Sequence, residues 1–190
     1  MAIYYQHIGE RLAERDFPRT LGTLPAAMHE FLLADIETYL DHLDIAELED
    51  IRSKHNHLSP RGFQIWGLPS GAERVLSEMC TGDYLMLLES IDFRYCGKVI
   101  HRVTEFCWEL SRHLWGEQRF PIIVFLQGKF IQYDWLEFVA DFQFNQKYHM
   151  RGNTMKLAQS RIEQSKYMTE NAFISHIWNT KEFRPFLLSD

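Results

Sequence analysis

Between residues 63 and 152 the chain alternates strand and helix patterns, and tryptophans stand just outside strand ends. Phe63-Gln64-Ile65-Trp66-Gly67 reads as a short apolar strand stopped by an aromatic residue and a glycine. Gly82-Asp83 turns into a second strand over 82–89, and 96–100 is a third. Leu114-Trp115-Gly116 leads into 120–126, an apolar, β-branched run that predicts a fully buried central strand. Gln127-Gly128-Lys129 reads as a turn and 129–133 as one more strand. This order restricts the block to a mixed α+β domain. Cores need apolar residues inside strands, whereas a large indole at a strand mouth suits contact with a flat ligand. Nucleobases are flat and expose their ring faces.

Helices are expected around these strands. In residues 1–60, the segment 5–15 carries Ile8 and Leu12 at helical spacing. Residues 26–39 put Met28, Phe31, Leu32, Ile36 and Tyr39 on one face, and Asp44 can cap a turn carrying Ile45, Leu48 and Ile51. The spacing therefore predicts a helical extension over 1–60. The turn-rich linker His55-Asn56-His57-Leu58-Ser59-Pro60-Arg61-Gly62 would join it to a domain over 61–190. Within that domain, helices are expected from Ser70 or Gly71 to Met79, from a Thr104 cap to Leu114, over 135–142, over 155–167 with basic character, and from 171 onward.

The net charge of -6 weighs against nucleic-acid binding only when taken whole. Residues 1–60 carry 11 acidic and 5 basic side chains, whereas residues 146–190 carry 4 and 7. An acidic front and a basic tail leave room for a local positive face. There is no dense Lys/Arg block, so non-specific affinity should be modest. No apolar run approaches the ~20 residues of a membrane helix, and the first residues lack a signal-peptide layout. Cys80, Cys96 and Cys107 form no Cys-x-x-Cys pair, which fits reduced thiols in a cytoplasmic protein. His55-x-His57 has no third ligand nearby. The chain has no Gly-rich phosphate loop, no Gly-x-Ser-x-Gly and no His-Glu-x-x-His, so no metal, cofactor or catalytic machinery is expected.

Taken in order, Ile65-Trp66-Gly67, Gly82-Asp83, Gly97-x-Val99, Leu114-Trp115-Gly116, a Phe-Pro-led strand and Arg151-Gly152 resemble the PUA-like superfamily. The likeness spans about 63–162 and is strongest to the EVE-type, YTH-like modules of modification-dependent restriction systems. It implies a curved β-barrel flanked by helices, with a methylated base flipped out of nucleic acid into an aromatic pocket. It implies DNA in preference to RNA, a role in phage defence, and a possible nuclease or NTPase partner. It also implies Trp66 as one pocket wall, Trp115 or else Trp108 as another, and Arg151-Gly152 beside the bound strand.

Asn153, Gln64, Ser90 and Asp92 lie near these motifs and are candidates for reading the base edge. Arg151, Lys156 and Arg161 are candidates for phosphate contact. Arg94, Lys98 and Arg102 alternate along one strand and suit a phosphate track or a solvated face equally. The chain departs from the family in its acidic charge and in the helix expected before Trp115. Two other readings stay open: an RNA-binding member of the superfamily, and a protein-interaction module in which Trp66 and Trp115 are core and the acidic helices form the interface.

Overall fold

The computed structural model describes residues 1–23, 28–145, 154–181 and 183. Strand β1 (Ile3–Ile8) runs into helix α1 (Glu10–Thr20), and α2 (Leu33–Ile36) and α3 (Ile45–Leu58) precede β2 (Gln64–Leu68). Next come α4 (Glu73–Leu76), the hairpin of β3 (Tyr84–Glu89) and β4 (Asp92–Arg102), and α5 (Trp108–Trp115). Strand β5 (Ile122–Asp134), α6 (Trp135–Asp141), β6 (Thr154–Lys156), α7 (Gln159–Gln164) and α8 (Glu170–Thr180) follow. The strands form one curled sheet, a half-barrel, in the order β2-β5-β4-β3-β1-β6. Pair β1–β3 is parallel and the other neighbours are antiparallel.

Both faces of the sheet are covered, which explains why its strands read as continuous apolar runs. Ile3, Tyr5, Met86, Leu88, Phe93, Ile131 and Tyr133 pack with α6 and α8 on one side. Tyr4, Leu85, Leu87, Tyr95, Val124 and Leu126 pack with α1 and α4 on the other. Toward the β2 edge, Phe63, Ile65, Ile123 and Phe125 meet α2, α3 and α5 in a third cluster. The expected buried strand is present from Ile122: Ile122 to Leu126 are at most 2 % exposed and pair with β2, and Val124 to Leu126 pair with β4 as well.

Several expectations need correction. The helix expected from Tyr5 begins only at Glu10, because residues 3–8 are strand β1, inserted between β3 and β6. These residues of the expected helical extension are thus part of the sheet. The expected turn at Gln127-Gly128-Lys129 is instead the middle of β5. A Cβ on Gly128 would stand 2.4 Å from the Cys96 carbonyl oxygen and 2.4 Å from Gly97 Cα, so the missing side chain lets two strands approach closely where the sheet coils. His55 and His57 belong to the last turn of α3, not to a linker; the Asp44 cap is present, with Oδ1 accepting from Glu47 N at 2.8 Å. Thr104 caps no helix, because its hydroxyl and its N–H both donate to the Glu47 carboxylate, and α5 starts at Trp108. Met155 lies in β6, not in a helix.

Candidate nucleic-acid interface

Strand β2 ends beside the junction where β1 gives way to α1. There Trp66 is 4 % exposed, and its Nε1–H donates to Gln6 Oε1 at 2.8 Å. A cavity of about 320 Å³ opens against this indole, bounded by the end of β1, the first turns of α1, and Arg119 and Phe120 ahead of β5. That volume falls within the ~300–1,000 Å³ of small-ligand sites. Helix α1 starts at Gly9 without a side-chain cap, and Gly9 lines the cavity. Backbone N–H groups at such a helix start favour electronegative ligand atoms.

Asp16 also lines the cavity, and it is 1 % exposed on the buried face that Ala13, Phe17 and Thr20 share. Arg15 Nε bonds Asp16 Oδ1 at 2.6 Å, and its Nη1 reaches Glu117 at 2.5 Å. The hydrogen bond to Asp16 raises the Arg15 pKa further and keeps the guanidinium charged. A paired carboxylate keeps lone pairs in reserve and can accept from an amino group in the cavity. Gln6 and Asp16 were absent from the sequence reading. A carboxylate at helical spacing among Ala13, Phe17 and Thr20 was the available signal for Asp16.

The structure corrects the idea of a sandwich. Trp66 and Trp115 are neighbours, with ring centroids 6.5 Å apart, but their planes stand at 80°. Edge-to-face contact leaves no parallel slot for a heterocycle between them. Trp115 is 2 % exposed and packs in the third cluster; its Nε1–H has no hydrogen-bond partner among the described residues. Gly67 marks no turn either, since β2 continues to Leu68. Trp108 stands elsewhere, 37 % exposed at the start of α5, in edge-to-face contact with Phe106.

The remaining candidates scatter. Gln64 is 3 % exposed, and its Oε1 accepts from Tyr95 Oη at 2.5 Å and Gly128 N at 2.7 Å, so its amide serves the sheet interior. Ser90 sits in the β3–β4 turn with φ 54 and lines a second cavity with His7 and Trp135; Asp92 opens β4 opposite Asp134. Arg94 pairs with Glu89 at 3.3 Å and lies over Phe183. Arg102 Nε is buried without a hydrogen-bond partner among the described residues.

Lys156 pairs with Glu78 at 2.6 Å, a hydrogen bond that raises its pKa. Arg161 donates to the carbonyls of Phe142 and Gln143 and stacks on Phe144 at 4.0 Å. Lys98 is exposed on β4. Arg151 and Asn153 lie outside the described residues. No group of three His, Cys, Asp or Glu able to hold a metal occurs among the described residues, and no described helix is long and apolar enough to cross a membrane.

No family model matches the sequence, and no curated protein is similar to it. Among solved structures, the chain is similar to the N-terminal domain of Thermococcus gammatolerans McrB bound to m5C DNA. The TM-score is 0.57 at 12 % identity, over 86 % of this chain and 94 % of that one. The fold is therefore PUA-like: a curled six-stranded half-barrel with flanking helices.

Proposed function

We propose that this chain is a DNA-reading module of a modification-dependent restriction system, and that it takes one flipped, methylated base into the cavity beside Trp66. The observation that carries the reading is this cavity, walled by a buried indole and set at a helix start, on the fold of a domain described as bound to m5C DNA. Phe120 and Trp66 supply apolar wall, and Gln6, Asp16 and the α1 N-terminus offer polar groups to a base edge. Arg119, about half exposed at the rim and paired with Glu117 at 3.4 Å, would meet phosphate in this reading. Extrusion costs a few kcal/mol, and stacking on an aromatic wall returns ~1–3 kcal/mol per base. In this reading catalysis belongs to a nuclease or NTPase partner.

The test is an equilibrium titration of duplexes carrying 5-methylcytosine, N6-methyladenine or neither, with matching RNA and single strands, at two salt concentrations. One methylated duplex should bind about tenfold or more tightly than its unmodified twin, with affinity falling as salt rises. Equal affinity for all duplexes sinks the modified-base reading. Preference for RNA transfers the site to RNA, and absence of binding at low salt leaves a protein-interaction module.

A further inference from the structure

Another aromatic cavity, of about 540 Å³, lies between the start of α5 and the segment that precedes α3. Three of its lining residues are aromatic: Tyr39, Phe106 and Trp108. Each wall is held in place by a further contact. Tyr39 stacks on His113 at 4.4 Å and 21°, with its hydroxyl 3.0 Å from His113 Nδ1. Phe106 meets Trp108 edge to face at 5.6 Å. Trp108, at 37 %, is the one aromatic among the exposed large apolar residues of the described chain.

The charge of this cavity is opposite to what a nucleic acid needs. Asp41 and Glu109 line it together with His42, and no lysine or arginine does among the described residues. Both carboxylates are exposed and make no ion pair with a described residue. Phosphates would be repelled here. A cation would gain from the negative ring faces and from the carboxylates together.

We propose that this cavity is a docking site for an arginine or lysine side chain presented by a basic segment of a protein partner. The cationic head would sit over Trp108, with Phe106 and Tyr39 as flanking walls and Asp41 and Glu109 accepting its N–H groups. Arginine suits the site best, because a planar guanidinium can stack and hydrogen-bond at once. The inference does not depend on the cavity beside Trp66. Gln118 lines one cavity and Arg119 the other, so a single short loop carries a wall of each.

The experiment uses the full chain and a fluorescein-labelled Gly-Arg hexapeptide, read by anisotropy, against the same peptide with citrulline in place of arginine. Citrulline keeps the shape and removes the charge. The arginine peptide should bind about fivefold or more tightly, and Trp108→Ala should remove most of that margin while Trp108→Phe keeps part of it. The pair Asp41→Asn with Glu109→Gln should weaken binding in the same way. The control pair Glu49→Gln with Glu73→Gln removes two exposed acids elsewhere and should leave binding within about twofold. Equal binding of the two peptides overturns the proposal, as does a control pair that weakens binding as much as the cavity pair. A single-stranded oligonucleotide whose binding is lost in Trp108→Ala also overturns it and makes the site a base platform.

Discussion

Gly67 lies beneath the indole of Trp115: a Cβ at Gly67 would stand 2.6 Å from Trp115 Cη2 and 2.6 Å from Phe120 Cβ. The Trp-Gly step in β2 is therefore a packing device, in which the absent side chain admits a ring from α5. Trp115 is buried and cannot swing away. Gly67→Ala is expected to lower stability by about 1–3 kcal/mol, the usual cost of overpacking, as a shift in the urea midpoint. Gly71, with nothing within 4 Å of a built Cβ, is the control; Gly71→Ala should change little.

The Trp66–Gln6 hydrogen bond joins β2 to β1 across the floor of the proposed base site. Gln6→Leu leaves the indole N–H buried without an acceptor and should cost about 1–3 kcal/mol. It should also weaken any preference for a methylated duplex, because the wall loses its anchor. The rim behaves differently. Arg119→Ala should reduce affinity for all duplexes alike and lower the salt slope by about 1, with stability unchanged within error.

Acid should loosen the attachment of α3. Glu47 accepts from His101 Nε2 at 2.8 Å and from Thr104 N at 2.9 Å, as well as from the Thr104 hydroxyl. Burial pushes its pKa up, but the hydrogen bonds from Thr104 and His101 outweigh this, and the net direction is down. The folded-state value lies below the unfolded one, so the contribution is present in full above the ordinary glutamate range. It is lost as pH falls through the lowered value. Asp141, also lowered on balance by Lys166, Tyr167 and Tyr133 against the opposing effect of burial, acts in the same direction. Urea midpoints measured from about pH 7 to about pH 3 should fall, and Glu47→Gln should flatten that fall while costing about 1–3 kcal/mol at neutral pH.

The three cysteines should react unequally. Cys80 is exposed, whereas burial pushes the Cys96 and Cys107 thiols up to about 12. The thiolate is the reactive form. A disulfide-exchange reagent should therefore titrate Cys80 alone in the native protein and all three cysteines in denaturant. A second fast thiol in the native state would contradict the packing around β4 or α5.

Much of the sheet was legible where strand edges carry turn chemistry. Gly82-Asp83 enters β3, Asp44 caps α3, and 122–126 of the expected 120–126 run is a strand buried on both faces. Strand β1 was hidden for the same reason that it is stable. Ile3, Tyr4 and Tyr5 are each at most 1 % exposed, so both faces are apolar and the period-2 alternation that marks a half-buried strand is missing. Ile8 and Leu12 then imitated helical spacing across the β1–α1 junction. At the site, Trp66 reads from the sequence as an indole at a strand end, but it lies in the middle of β2. The angle between Trp66 and Trp115 was not legible, because ring orientation depends on α5 crossing β2, and no local pattern encodes that crossing.

The parallel pairing of β1 with β3 also governs how the polypeptide can assemble. Ala2 N donates to Asp83 Oδ1 across a separation of 81 residues, and β1 takes its other neighbour from 154–156. During synthesis β1 therefore emerges long before either flank exists, with two tyrosines and two isoleucines awaiting shelter. Such distant closure makes folding slow relative to a chain of local hairpins, and it leaves the apolar faces of β1 uncovered until β3 and β6 are available to pair with it.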